Sequence, residues 1–299
     1  MADAALRAAL LWSALQVLNR ERFEALVQVF GTLEEAGKHV DEQLLRSFGC
    51  REQTVRAVME RLAKYDAEKE VELLQSSAAK IITLGDASYP DRLRDIPDSP
   101  VFLYARGHLS ITQHPCVGLV GTRRMSVYGK RVTQEFTRTL VHSNLVTVSG
   151  LAYGVDACVA EETLAAKGRT IAVLGHGLLV HSRSTAEALA GNIIASGGLI
   201  LSEFPLLYPA DMFTFPLRNR IVAGLSLGTV VFEAPEGSGA LITAKLAFDY
   251  GREVFAVPGQ IHDENYVGCH ALIRQDRAKL VPQCILKNEF QNFHRDASG

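Results

Sequence analysis

Residues 116–130, CVGLVGTRRMSVYGK, constrain the fold more than any other stretch of the chain. An apolar run (Val117, Leu119, Val120) stops at Gly121, a basic turn follows, and Val132, Phe136 and Leu140 then recur four apart. That order reads as strand, glycine turn and helix N-terminus. The first N–H groups of such a helix are unpaired and carry partial positive charge, so the turn is expected to attract an anion. Arg123 and Arg124 add guanidinium forks suited to phosphate. An ordinary βα turn with solvated arginines is the competing reading of the stretch alone.

The pattern repeats down the chain. LVTVSGLAYGVD (145–156), TIAVLGHG (170–177), LILSEF (199–204), GTVVFEA (228–234) and REVFAVPG (252–259) are apolar strands running into turns, with helical patterns between them. Ser184 and Glu187 have the spacing of a capping box at the helix before LILSEF. Near-continuous apolar strands alternating with helices predict an α/β fold with a doubly wound parallel sheet. Ligands of such sheets lie beyond the carboxyl ends of the strands, where the GTRR, SGLAYG, GHG and EGSG turns fall. Residues 80–109 carry two further β runs, 81–84 and 101–104, expected to extend this sheet.

The segment before residue 75 lacks strand signals and reads as a small helical domain, residues 1–75, ahead of a sheet domain, 76–299. Leu6, Leu10, Leu11, Leu15 and Leu18 form one amphipathic stripe, and glycines 31 and 49 break the runs that follow. LLRSFGCREQTVRAV is faintly similar to helix–turn–helix and helix–hairpin–helix modules, but a plain packing bundle is the preferred reading. EKEVE (68–72) reads as a solvated linker.

With 299 residues, 47% of them hydrophobic, the chain can bury a large core, and no apolar segment approaches the ~20 residues of a membrane span. The N-terminus lacks a signal-peptide pattern, and five scattered cysteines without CxxC spacing fit a reducing cytoplasm. Net charge is only −2, so binding to nucleic acid needs the basic residues gathered on one face. Arg123, Arg124, Lys130, Arg131, Arg183, Arg218, Arg220 and Lys245 all fall at or beside the strand–helix turns, and Tyr208, Phe213 and Phe215 are available to stack on bases or to pack. There is no GxGxxG and no GxxxxGK[ST], and no nucleophile is paired with His176 or His181, so neither a cofactor nor a catalytic constellation is expected. No metal site is expected either, because Cys269, His270 and Cys284 do not make a four-ligand set.

The segments SYPDRLRDIPDSPVFLYARG, VGLVGTRRMSVYG, VSGLAYGVDA, GRTIAVLGHG, LSEFP, FPLRNRIVAGLS, EGSGALITAKLAFDYGREVFAVPG and GCHALIR…AKLV closely resemble, in order, those of the DNA-processing protein A family (DprA, also called Smf). The resemblance spans residues 80–282. It implies an extended Rossmann-like domain behind a small helical domain of SAM-like or helix–hairpin–helix-like type. It also implies a single-stranded-DNA binder that dimerises, is not an enzyme, and loads the RecA recombinase on incoming strands during natural transformation. By this resemblance Gly121, Thr122 and Arg123 form a phosphate loop, and Ser149, Gly150, Asn219, Arg220, Gly237, Ser238, Gly239 and Lys245 line the same pocket. Arg183 stands where the family often has a basic residue. Tyr153, Cys158 and the VHSRST stretch depart from the family's pattern. Only a short tail follows Val281, so the winged-helix module of some members is not expected.

The family's dimerisation directs attention to an apolar set after the phosphate turn and the last strand: Leu246, Phe248, Ile261, Tyr266, Leu272 and Ile273. If that end of the sheet faces water, such a patch marks an interface between two copies, centred on Leu272 or Ile273; the alternative is cover by the N-terminal helices. The fold also fits a Rossmann-like phosphoribohydrolase, although PEGSGALITA has no acid immediately after its glycine turn, and it fits a nucleotide sensor.

Overall fold

In the computed structural model the described residues are 3–181 and 184–281, with only the backbone of Ser184 included. Six helices come first: α1 (Asp3–Leu15), α2 (Arg20–Phe30), α3 (Leu33–Gly37), α4 (Glu42–Ser47), α5 (Glu52–Lys64) and α6 (Ala67–Ser76). Asn19, Thr32, Asp41 and Asp66 cap α2, α3, α4 and α6, each accepting from a backbone N–H three residues on. The EKEVE stretch is thus helix and not linker: Asp66 starts α6, and Val71 and Leu74 turn into the core while the charges face water. Trp12 is fully buried and donates its indole N–H to the Leu33 carbonyl at 3.0 Å, tying α1 to α3.

Two strands, β1 (Lys80–Thr83) and β2 (Phe102–Gly107), flank the short α7 (Asp91–Arg94) and pair antiparallel. The remaining elements alternate: β3 (Cys116–Val120), α8 (Val127–His142), β4 (Val146–Ser149), α9 (Val155–Ala165), β5 (Thr170–Val173), α10 (Ser184–Ala195), β6 (Leu199–Ser202), α11 (Thr214–Leu225), β7 (Gly228–Val231), α12 (Gly239–Asp249), β8 (Glu253–Ala256), α13 (Val267–Arg274) and β9 (Lys279–Leu280). Among the described residues they form one sheet of order β1-β2-β6-β5-β4-β3-β7-β8-β9. It is parallel from β6 through β9, with the β1–β2 pair added antiparallel to β6, as the β runs of 80–109 suggest.

Every residue of β3, β4, β5, β6 and β7 is buried, because helices cover both faces of the sheet. Several hydroxyls inside this core are satisfied locally: those of Thr147 and Thr163 lie 2.9 Å apart, and Thr170 donates to the Thr147 carbonyl at 3.1 Å, whereas those of Thr137 and Thr229 find no partner among the described residues. Crossovers from β3 towards β6 carry α8, α9 and α10 along one face, and the return to β7 and β8 carries α11 and α12 along the other. The N-terminal helices share the same continuous core at the β1–β2 end, where the Tyr104 hydroxyl donates to Ser13 at 3.0 Å. They therefore lie at the opposite edge of the sheet from β8 and do not cover the apolar set of α12 and the segment after β8.

Candidate nucleic-acid interface

β3 and β7 are neighbours whose following connections depart in opposite directions, so the crevice of this sheet opens between their carboxyl ends. The turn after β3 is fixed there by the Thr122 N–H, which donates to the Glu233 carbonyl at 2.7 Å. Ser126 caps α8, its hydroxyl accepting from the Gly129 N–H at 2.9 Å.

The anion expected at the start of α8 is the protein's own Glu233 carboxylate. Glu233 is fully buried. It accepts from the Ser126 N–H at 2.9 Å, from the Ser126 hydroxyl, and from the Tyr266 hydroxyl at 2.9 Å. Gly129 leaves the space this carboxylate occupies; a Cβ there would collide with it. Burial, reinforced by the adjacent carboxylate, holds the Tyr266 phenol well above the ordinary tyrosine value. A ligand phosphate at the same N–H groups would lie against this charge, a repulsion of roughly 4 kcal/mol at 4 Å in a protein-like dielectric. The α8 N-terminus is closed to phosphate.

The turn after β4 is built around a second buried acid. Asp156, in the first turn of α9, accepts from the Gly150 N–H at 3.0 Å and the Ala152 N–H at 3.4 Å. Leu151 between them sits at φ +54°, a left-handed conformation rare for leucine that the carboxylate holds in place. The Arg218 guanidinium lies over Gly150, where a side chain would collide with it, and donates to the Gly150 carbonyl at 3.2 Å. Its Nε finds no partner among the described residues. Burial raises the Asp156 carboxyl above the usual carboxylate range and lowers Arg218 from the usual arginine value, while the attraction between the two opposes both shifts.

Of the pocket residues assigned from sequence, Thr122, Ser149, Gly150 and Asn219 are buried around this crevice. The Ser149 hydroxyl points at the Asp156 carbonyl at 3.5 Å, and the Asn219 amide donates to the Gly239 carbonyl at 3.3 Å, joining α11 to the start of α12. Arg220 is turned away: it ion-pairs with Glu203 and donates to the Asp98 carbonyl at 2.7 Å, with only 13% of its side chain exposed. Lys245 is likewise directed along its own helix to Asp249 at 2.5 Å. Arg131 pairs with Glu135 at 3.0 Å. Arg183 lies outside the described residues.

What remains open is a smaller set. Arg123, Arg124 and Lys130 are exposed at the β3 turn. The Arg123 guanidinium lies over the Phe215 ring at 5.4 Å, and Phe215 itself packs on Gly175 at the end of β5. Phe213, 69% exposed, stands beside it at the start of α11, whereas Tyr208 is stacked on Phe204 at 5.1 Å. On the far side of the crevice, Gly237 and Gly239 meet nothing within 4 Å of an added Cβ, and Ser238 caps α12 through Ala240 N–H at 3.3 Å. The α12 start is the uncovered helix N-terminus of the crevice. From sequence, Asp156, Glu203 and Glu233 stand at strand ends where capping and ion pairing are expected, without the helix being specified, and Arg220 rather than Arg218 is expected as a pocket wall.

The apolar set named as an interface divides. Tyr266 and Leu272 are buried in the chain's own core, because α13 turns Gly268, Cys269 and Leu272 inward, so neither can form the centre of a contact. Leu246 and Ile273 are partly buried against the same core. Phe248 and Ile261 are 48% and 81% exposed. Among the described residues no three His, Cys, Asp or Glu side chains cluster as metal ligands, and no helix is long and apolar enough to cross a membrane.

The family profile described as DNA recombination-mediator protein A matches residues 80–290, the whole sheet with this crevice. The chain belongs to that family. It is 40% identical over 253 residues to the DNA processing protein DprA of Streptococcus pneumoniae, which covers 83% of this chain and 87% of that one. The X-ray structure of DNA processing protein A from the same species superposes with a TM-score of 0.80 at 32% identity, over 96% of this chain and 98% of the other. DNA processing protein A of Helicobacter pylori, whose structure was described for its single-stranded DNA binding mode, aligns with a TM-score of 0.61 at 29% identity, over 73% of this chain and 96% of that one. The Rossmann-like sheet, the crevice and the basic turn therefore belong to a family of DNA recombination mediators.

Proposed function

We propose that the chain captures single-stranded DNA across the carboxyl edge of its parallel strands, as a homodimer in the cytoplasm, and passes the strand to a RecA-type recombinase by binding alone. The observation that carries the proposal is the distribution of charge at the crevice. The N-terminus of α8 is filled by Glu233, while Arg123, Arg124 and Lys130 stand exposed around it and the α12 start is open. A nucleotide pyrophosphate needs an enclosed cradle, whereas a polyphosphate backbone needs several accessible cations along a path. Phe213 and the Arg123–Phe215 stack supply faces for bases. The described DNA-binding mode of the Helicobacter pylori relative points the same way.

In this reading Gly121 through Arg124 hold one phosphate and Gly237, Ser238 and Gly239 another, with Arg218 in place of Arg220 as the inner wall. Titration with oligo-dT of increasing length against a mononucleotide tests it. Affinity rising steeply with length and falling with salt is the expected result. Equal affinity for the mononucleotide would favour a nucleotide sensor, and cleavage of its glycosidic bond would favour a phosphoribohydrolase.

A further inference from the structure

The amino edge of the parallel strands, opposite the crevice, carries a charge pattern that the crevice does not account for. On the half of that edge formed by β2, β6, β5, β4 and β3, four connections meet: residues 108–115 between β2 and β3, with Arg106 at the end of β2, then 142–145 before β4, 166–169 before β5 and 196–198 before β6. None of them contains an aspartate or glutamate. They present Arg106, His108, His114, His142, Lys167 and Arg169, all exposed and none in an ion pair among the described residues. In a chain whose net charge is −2, an acid-free basic stretch along this half of the edge is a local feature and not a reflection of composition.

Because the strand order is β2-β6-β5-β4-β3, these residues form a row across five strands. At about 4.8 Å per strand the row spans roughly 19 Å. A surface cavity of about 410 Å³ opens in the row, between the ends of α8 and α9, and is lined by His142, Asn144, Lys167 and Arg169. The nearest acid on α9, Glu162, is already engaged by Arg138 at 3.2 Å.

Cations at helix ends also complement the negative pole of the helix dipole, and α8 and α9 both end at this cavity. Two helix ends carry about half a negative charge each, roughly −1 together. Lys167 and Arg169 alone bring two full positive charges, so the edge stays positive after the dipoles are offset. Enclosed monophosphate sites use buried donors, whereas this row is exposed and extended, which suits successive phosphates of a chain.

We propose that the amino edge of the sheet is a second nucleic-acid path, in which Lys167 and Arg169, flanked by the histidines, hold the phosphate backbone of the same single strand beyond the segment held in the crevice. The assignment rests on the reading that the crevice binds single-stranded DNA, and the test separates the two. The double variant Lys167→Asn/Arg169→Gln alters exposed side chains only, and asparagine tolerates the left-handed backbone of residue 167, φ +60°.

Full-length wild type, this variant and Arg123→Ala are titrated with oligo-dT of about 6 and about 40 nucleotides at about 50 mM salt and above. The double variant is expected to keep its affinity for the short oligomer and lose about tenfold for the long one. Its salt slope on the long one should fall by about 1.4, two phosphates at ~0.7 each. Light scattering must give the wild-type mass, which excludes a lost dimer as the cause. Unchanged long-oligomer affinity and slope would overturn the proposal and leave these cations as partners of the helix ends. An equal loss on both oligomers would overturn it too. Arg123→Ala weakens both oligomers if the crevice reading holds, so its failure is visible independently of the amino edge.

Discussion

Replacing Glu233 by alanine tests whether the α8 N-terminus is closed by the protein itself. The carboxylate accepts three hydrogen bonds, from Ser126 N–H, Ser126 hydroxyl and Tyr266 hydroxyl, and lies in the field of a helix of 16 residues. Hydrogen bonds to a charged group contribute about 1.5–3 kcal/mol each, and a partly buried charge at a helix end up to ~2 kcal/mol. These are not additive, since Ser126 and Tyr266 turn towards each other's lone pairs or to entering water once the acid is gone. A loss of about 3–5 kcal/mol in urea unfolding is expected, comparable to breaking one partner of a buried ionic contact. Glu233→Gln keeps the volume and one acceptor oxygen, and should lose about 2–3 kcal/mol. Because the vacated space is carboxylate-shaped and lined by donors, acetate or inorganic phosphate should raise the unfolding midpoint of Glu233→Ala above that in chloride of equal ionic strength, and leave wild type unmoved. An alanine variant as stable as wild type, or one that ignores both anions, refutes the account of this helix end.

Arg123→Ala should weaken single-strand binding by about 1.5–3 kcal/mol and lower the salt slope by ~0.7, because one charge-assisted contact is lost; an unchanged isotherm in a folded variant removes the residue from the site. Gly239→Val meets open space and a φ outside the left-handed region, so it should retain the wild-type melting temperature while blocking DNA, whereas Gly237→Ala, at φ +72°, should cost about 1 kcal/mol of stability as well; a Gly239→Val protein with normal binding contradicts the proposed wall. Self-association should respond to Ile261→Glu or Phe248→Glu, which alter exposed side chains, giving folded monomers by light scattering with weaker affinity for long DNA. A wild type that is monomeric at tens of micromolar ends that idea.

The sheet was legible because each of its central strands is buried on both faces, so apolar residues run along the strand and are not confined to alternate positions, with only small hydroxyl residues such as Thr147 and Thr170 interrupting them. α3 and α6 were not, since a helix of five residues and a helix with two inward side chains barely modulate hydropathy. Positions at the sheet's edge were readable, but whether a charge there is spent was not. Arg218 and Arg220 differ by two residues, roughly 200° around a helix. One therefore faces the β4 turn and the other faces Glu203. The Lys245–Asp249 pair could have been foreseen from its i,i+4 spacing, which offers the ammonium a nearer partner than any phosphate. The Glu233–Ser126 contact spans 107 residues and follows only from β3 and β7 being neighbours, which no local pattern encodes.

Charge use distinguishes the two edges more sharply than charge count. At the carboxyl edge several of the basic residues found by sequence are neutralised by partners within the chain: Arg131 by Glu135, Arg220 by Glu203, and Lys245 by Asp249. Among the described residues, the exposed cations left there cluster at a single turn, beside a helix start that an internal carboxylate has already filled. At the amino edge the four connections before β3, β4, β5 and β6 contain no acid, so their cations cannot be neutralised within those loops. A ligand with one phosphate has little to gain from two separated sets of free cations. A polymer does, because each further segment it lays down binds at the high effective concentration set by the first.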